Sequence, residues 1–334
     1  MRIAIFEIQD WERGAFQQFE GQHELLFSPD RLTTENAANY PDIDILSVFI
    51  YSDVNARVLQ ALGNPRLIAT RSTGYDHIDT DYCQEQDITV CNVPIYGSNT
   101  VAEHVFALLL AISHNLVEAV DRTRRGDFSL TGLRGFDLQG KTLGVVGTGS
   151  IGEHVIRIAQ GFEMQVLAYD VVERDDLAEE LSFDYVPMEE LLAQSDIVTL
   201  HVPGNPKTRH MISGPQLDQM KDGAVLINTA RGDVIDINAL VGALATGKLA
   251  AAGLDVMPDE PSIREEAELV HSFYEEQHDL RTLLAGHILL RMRNVIITPH
   301  SAFNTHEAMG RILETTVENM ERFMAGEPQN VIEQ

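Results

Sequence analysis

Three side chains of complementary chemistry follow short apolar runs in the second half of this 334-residue chain. Arg231, within Asn228-Thr229-Ala230-Arg231-Gly232, is a fixed cation whose planar fork suits a carboxylate. Glu260 stands between Asp259 and Pro261 in a turn-forming string. His300 comes directly after Thr298-Pro299. Each alone has a bland reading: an arginine in a surface turn, a solvated acid in an acidic loop, a histidine in a core. Together they make an acid–base set. The guanidinium would hold a keto acid, the imidazolium would give a proton to a forming alkoxide, and the carboxylate would orient the imidazole and favour its protonated form. Reduction by such a set should fail as pH rises, and alcohol oxidation should need the neutral imidazole.

Redox chemistry needs a hydride carrier, and Lys141 to Gly152 supplies a place for one. A strand pattern runs into Gly147-Thr148-Gly149-Ser150-Ile151-Gly152, which is G-x-G-x-x-G, and an amphipathic run from Glu153 to Gly161 follows. A second apolar run, Met164 to Tyr169, ends on Asp170, about 20 residues past the glycines, as a dinucleotide-binding βαβ unit requires. Gly147 permits the tight turn, Gly149 lets backbone approach a pyrophosphate, and Gly152 lets the helix pack on the strand, its N-terminus facing the phosphates. Asp170 would accept hydrogen bonds from the adenosine ribose and repel a 2′-phosphate, so NAD is expected rather than NADP. Arg174, close behind, could soften that repulsion. A lone G-x-G-x-x-G is an ordinary glycine loop as often as a cofactor site. Strand, loop, helix, strand and acid in this order are not.

These residues need strands to hold them at one edge. The first hundred residues read as a small parallel βα domain, with strands at Arg2 to Ile8, His23 to Phe27, Ile43 to Phe49, Arg66 to Thr70 and Ile88 to Val93. One long helix is expected from an N-cap at Asn99 to about Val120, then a loop from Arg122 to Gly140. Six strands follow, at Thr142–Val146, Gln165–Tyr169, Asp196–Leu200, Ala224–Ile227, Ala250–Leu254 and Val295–Thr298, the size of a doubly wound nucleotide domain. Pro258 to Arg293 is a charged excursion, and a last helix, Thr305 to Met324, is expected to pack back on the first domain.

Length suggests two domains, each with its own core. The formal charge of −27 argues against nucleic acid and anionic membrane as partners, and it makes local positive charge necessary for any anionic substrate. Lysine is confined to Lys141, Lys207, Lys221 and Lys248, a balance that suits either concentrated salt or a merely acidic enzyme. Stabilisation by molar salt would separate the two. Two cysteines, Cys83 and Cys91, without a C-x-x-C spacing, suit a reducing cytoplasm, and Glu7 and Asp10 interrupt any signal-like apolar start.

Across essentially its whole length the chain resembles the NAD-dependent D-isomer-specific 2-hydroxyacid dehydrogenases, most of all the D-lactate dehydrogenase branch. The resemblance is carried by Arg71-Ser72-Thr73-Gly74-Tyr75-Asp76-His77-Ile78-Asp79, Val93 to Tyr96 with Asn99 to His104, the glycine loop, Asn228 to Gly232, Gly253 to Glu260, and Thr298 to Phe303. It implies two doubly wound α/β domains, a Rossmann NAD domain (99–301) inserted in a flavodoxin-like substrate domain (1–98 and 302–334). It implies Arg231, Glu260 and His300 as the catalytic set. Thr73 and Gly74 would hold the substrate carboxylate through backbone N–H groups, and Tyr96 and Phe303 would flank the substrate. Ser150, Ile151, Asp170, Val202, Pro203, Thr208, Thr229, Ala230 and Asp255 would line the NAD site. No metal is implied, and a homodimer through the NAD domains is. Gly97-Ser98 departs from the Ser-Pro common in the lactate branch, and Phe49-Ile50-Tyr51-Ser52, in the presumed substrate loop, matches no single acid. The expected reaction is reduction of a small 2-oxo acid to the D-2-hydroxy acid, pyruvate first. The alternatives are larger 2-oxo acids and a nucleotide-sensing, corepressor-like binding protein. Formate dehydrogenases of this fold carry Gln where this chain has Glu260.

Overall fold

The computed structural model describes residues 1–258 and 280–332. The chain divides into two compact units, Met1–Gly97 with Thr305–Gln334, and Ser98–Asn304.

In the first unit, strands β1 (Arg2–Ile5), β2 (Glu24–Phe27), β3 (Ile45–Val48), β4 (Leu67–Thr70) and β5 (Thr89–Cys91) form a parallel sheet in the order β2-β1-β3-β4-β5. That is the flavodoxin-like order. Alternate side chains point to opposite faces. Ile3, Ile5, Ile45 and Leu67 share one core with Leu313, Val317 and Met320 of the helix His306–Met324. Ala4, Leu46, Val48 and Ile68 share the other with Val58 and Leu59 of the helix Ala56–Ala61 and Cys83 of Thr80–Glu85. Both faces are covered, so β3 and β4 are buried at every position. Each fully buried Ile or Leu contributes about 1.5–3 kcal/mol. The last helix starts where the Thr305 hydroxyl accepts the Ala308 N–H, 3.2 Å away. β1 stops at Ile5 rather than Ile8 because Glu7 turns the backbone into the left-handed region, φ 54°.

The second unit holds β6 (Thr142–Val146), β7 (Gln165–Tyr169), β8 (Asp184–Tyr185), β9 (Ile197–Leu200), β10 (Ala224–Asn228), β11 (Leu249–Leu254) and β12 (Val295–Ile297). They form one parallel sheet, β12-β11-β10-β9-β6-β7-β8. Counted from β6 this is the doubly wound order 3-2-1-4-5-6, extended by a seventh strand. The sequence predicts six strands, because β8 is a two-residue edge strand with no apolar run. A second difference lies in the long helix. It begins at Ser98, which places Asn99 inside its first turn with its Nδ2 donating to Glu103 Oε1 at 3.2 Å. It ends at Ser113 rather than Val120, because Asn115 takes a left-handed φ of 49°. A separate helix, Leu116–Arg124, leaves at 62°. Val105, Leu108 and Leu109 of the first helix pack with Leu143, Val145, Val155 and Ile156 on one face of the sheet. Leu191, Leu217, Leu240 and Leu289 cover the other.

Candidate active site

The register of the second sheet aligns Tyr169, Val146, Leu200, Asn228, Leu254 and Ile297 in a single row from β7 to β12. Strands stand about 4.8 Å apart. The residues one step further, Asp170, Gly147, His201, Thr229, Asp255 and Thr298, therefore stand side by side along the carboxyl edge. The order reverses between β6 and β9, and ligands of open α/β sheets bind in that crevice.

Gly147 has φ 96°, and a Cβ there would lie 2.4 Å from the His201 carbonyl oxygen. A Cβ on Gly152 would lie 2.0 Å from the Gly147 oxygen, so the helix Ser150–Gly161 can sit this close only on glycine. At Gly149 a Cβ would meet nothing within 4 Å. Gly149 also caps the helix without a side-chain hydrogen bond, which leaves first-turn N–H groups of Ser150 and Ile151 as donors to an anion. The Asp170 carboxylate accepts from the Thr148 N–H at 2.6 Å, the Thr148 hydroxyl at 3.0 Å and the Val172 N–H at 3.1 Å. Burial works to raise its pKa, but these hydrogen bonds outweigh it and hold the carboxyl below the usual aspartate range. Arg174 is committed to Glu153, with Nη2 to Oε2 at 2.6 Å. Beneath the loop, desolvation pushes the His201 imidazole down to about 3, so it stays neutral, bonded to the Thr199 hydroxyl at 2.9 Å. After β9, Val202 is half-buried and Pro203 exposed, and the Thr208 hydroxyl donates to the Pro203 carbonyl at 2.6 Å.

After β10, Asn228 shapes the turn that carries Arg231. Its Oδ1 accepts the Ala230 N–H at 3.0 Å and its Nδ2 donates to the Arg231 carbonyl at 2.9 Å. Thr229 is 8% exposed, and its hydroxyl is buried with no hydrogen-bond partner among the described residues. Arg231 is half-buried and extended, with Nη1 donating to the Ala230 carbonyl at 2.9 Å. After β11, Asp255 is 1% exposed. Its carboxylate accepts the Ser301 and Ala302 N–H groups, each at 2.9 Å, and the Thr298 hydroxyl. His104 Nε2 lies 3.4 Å from Asp255 Oδ1 and 3.0 Å from Thr298 Oγ1. Burial again opposes ionisation, and these bonds again win, holding the carboxyl below its usual range. The main-chain oxygen of Asp255 accepts the His300 N–H at 2.9 Å. His300 itself has φ 52°, a strained backbone held from both sides. Its ring meets that of Phe303 edge-on, centroids 6.4 Å apart. Glu260 lies outside the described residues.

The first unit holds the remaining expected residues. Thr73 and Gly74 follow β4. The Thr73 hydroxyl donates to the Val93 carbonyl at 2.7 Å, and the Thr73 carbonyl accepts Asn92 Nδ2 at 2.8 Å. Asn319, fully buried, donates to the Asn92 carbonyl at 2.8 Å, and the Ser72 hydroxyl donates to the Gly74 carbonyl at 2.6 Å. Tyr96 is half-buried, its carbonyl accepting Arg311 Nε.

Residues 106–302 match the family model for the D-isomer specific 2-hydroxyacid dehydrogenase NAD binding domain. The chain is 33% identical over 338 residues to the D-lactate dehydrogenase of Escherichia coli strain K12, covering 98% of each. It is 38% identical to the glyoxylate reductase of Korarchaeum cryptofilum, over 88% of this chain and 83% of that one. A crystal structure of D-lactate dehydrogenase from Aquifex aeolicus, complexed with NAD and lactic acid, superposes with a TM-score of 0.85 at 36% identity, over 97% and 96% of the two chains. The chain belongs to the D-isomer specific 2-hydroxyacid dehydrogenase family. It is an NAD-dependent oxidoreductase with the two-sheet fold of that family.

The residues of this dehydrogenase fit the dinucleotide. Gly149 opens the cradle, the helix behind it offers donors, Asp170 is set as an ionised acceptor, and the buried Thr229 hydroxyl waits for a partner. Two further histidines stand at this edge. His104 comes from a helix 194 residues away from Thr298 along the chain, and His201 is a lone histidine at a strand end. The sheet register brings His201 to this edge, and the helix Ser98–Ser113 brings His104.

Proposed function

We propose that this enzyme reduces a small 2-oxo acid to the D-2-hydroxy acid, with pyruvate to D-lactate as the first assignment. The observation that carries the reading is the loop Thr298–Ala302: buried Asp255 holds the flanking residues through its carboxylate and the His300 N–H through its main-chain oxygen, with His300 in a left-handed backbone on the strand exit beyond the one that follows Arg231's strand. When bound, NADH supplies the hydride to the keto carbon. Arg231 grips the substrate carboxylate and the carbonyl oxygen through its planar fork, which polarises the carbonyl and fixes its face. The His300 imidazolium donates its proton to the carbonyl oxygen as that oxygen becomes an alkoxide, and Glu260 orients the ring. Thr73 and Gly74 hold the carboxylate through their N–H groups, and Tyr96 and Phe303 flank the substrate. Ser150, Ile151, Asp170, Val202, Pro203, Thr208, Thr229, Ala230 and Asp255 serve the NAD site, with Asp255 acting also through the His300 loop. Local pairing at Arg231 captures an anion despite the charge of −27, since the net field is screened beyond about 8–10 Å.

NADH consumption across a panel of 2-oxo acids, with chiral analysis of the product, tests the reading. A D-product with pyruvate supports it. Cofactor binding without turnover of any acid points to a nucleotide sensor. We also assign a homodimer through the second unit. The helix Leu116–Arg124 buries no residue, and Leu116, Val117, Phe128 and Leu130 are more than half exposed, an apolar face that a monomer rarely leaves in water. Light scattering should give about twice 37.1 kDa. Cys83 and Cys91 are free and buried, each thiol pushed up to about 11 by burial, which is consistent with the cytoplasm we assign.

A further inference from the structure

The exits of β1, β3 and β4 in the first unit are tied together by one ion-bearing frame that the reaction above does not use. Glu7, two residues past β1, turns its carboxylate onto the loop that leaves β3. Its Oε2 accepts the N–H groups of Phe49 at 3.0 Å and Ser52 at 3.1 Å, its Oε1 accepts that of Tyr51 at 2.8 Å, and the Ser52 hydroxyl donates to Oε2 as well. Ser52 is 1% exposed, and its oxygen also accepts the Leu32 N–H at 2.9 Å. Arg71, the residue after β4, is likewise 1% exposed. Its Nη2 donates to the carbonyls of Phe6 at 2.7 Å and Glu7 at 2.9 Å, its Nη1 lies 3.2 Å from Ser47 Oγ, and its guanidinium sits 5.9 Å from the Phe49 ring centre. Three backbone donors on one carboxylate are far more than a surface turn needs, and Glu7 accepts a left-handed backbone to provide them. The place matters too. In the order β2-β1-β3-β4-β5 the chain reverses between β1 and β3, so Glu7 and the loop bracket the switch point of this sheet, where open α/β folds bind ligands. The Thr73–Gly74 turn leaves the next strand over.

We propose that Glu7 is a positioning residue for substrate selectivity: it fixes the loop Phe49–Ser52, whose half-buried Phe49, Ile50 and Tyr51 side chains set the room for the 2-oxo acid's side chain. This rests on the reading under Proposed function. The Phe49 and Tyr51 rings meet edge-on, centroids 6.4 Å apart, so a shift of one backbone N–H moves both walls. Glu7→Gln keeps the size of the side chain but leaves one oxygen for donors that now use two.

The test compares wild type with Glu7→Gln at saturating NADH, using pyruvate and 4-methyl-2-oxopentanoate, together with the NADH Kd and amide exchange at 49, 51 and 52. The expected result is a change of about tenfold in the ratio of kcat/KM for the two acids, carried mainly by KM, with the NADH Kd within about twofold and faster exchange at those three amides. Loss of activity on both acids in equal proportion, with the ratio unchanged, would show a structural role only and overturn the proposal. Ser52→Ala, which deletes only the hydroxyl donor, carries the same comparison with a shift of about twofold if Glu7→Gln does not fold. A wild type that turns over neither acid sinks the functional reading instead, and unchanged exchange at the three amides sinks the proposal by itself.

Discussion

Gly147–Gly152 and Thr298–Ala302 both leave the carboxyl edge of the second sheet, yet their backbone N–H groups meet different fates. In the glycine loop the first-turn donors of a helix face outward without a side-chain cap. In the histidine loop the N–H groups of His300, Ser301 and Ala302 are all taken, every one of them by Asp255. The first loop is complete only with a ligand, so its shape is set by glycines that keep it low and close to its neighbours. The second is complete without one. Its left-handed histidine costs about 1–2 kcal/mol, and charge-assisted hydrogen bonds of about 1.5–3 kcal/mol each offset that. A dinucleotide with many contacts tolerates a loop that settles as it binds. A single proton delivered to a single oxygen does not, because a small misplacement of the acid costs much of the rate.

Substitutions can break this contrast in order of effect. His300→Ala removes the proposed acid and leaves the glycine loop intact, so turnover should fall about 10²–10⁴-fold while NADH affinity holds within about threefold; stopped-flow turnover and fluorescence titration read the two. A comparable loss of NADH binding would show that the two loops do not work separately. Asp255→Asn leaves the imidazole in place but unties its loop. It should lower turnover about 10–100-fold and stability by about 1–3 kcal/mol in chemical denaturation. The wild-type carboxyl has its pKa depressed on folding, so its contribution is present in full above the usual aspartate value and is lost as pH falls through the depressed one. The acid limb of the stability curve should therefore flatten in the variant. Thr229→Val sharpens the other half. It removes a buried hydroxyl that has no partner, so the unliganded protein should be as stable as wild type or more so, while NADH binds about three- to tenfold more weakly. Loss of stability with unchanged NADH affinity would mean that the hydroxyl serves the fold.

The cofactor half of this site was far more legible in the sequence than the half that holds the proposed acid. Gly147, Gly149, Gly152 and Asp170 lie within one βαβ unit, and short-range spacing encodes them. His300, Arg231 and Asp255 could be named because each follows a strand, but the hydrogen bonds that fix His300 join residues 43 to 47 positions apart, and the sequence has no pattern for them. The same holds for Glu7, whose acceptors of loop N–H groups lie more than 40 residues from their donors. In the fold, the long buried strands were readable because two covered faces demand continuous apolar runs. The short polar strand β8 was not, and neither was the break at Asn115, where one left-handed residue redirects a helix whose composition would otherwise continue it.

We propose that hydride reaches the keto carbon on one face, with the proton supplied at the oxygen by His300. NADH deuterated at the transferred position, incubated with pyruvate and the intact enzyme, should yield D-lactate carrying one deuterium at C2 for each NADH consumed, read by NMR after chiral separation. NADH that binds but gives no C2-labelled acid from pyruvate or any larger 2-oxo acid, or a label that appears only in the L-isomer, would contradict the account.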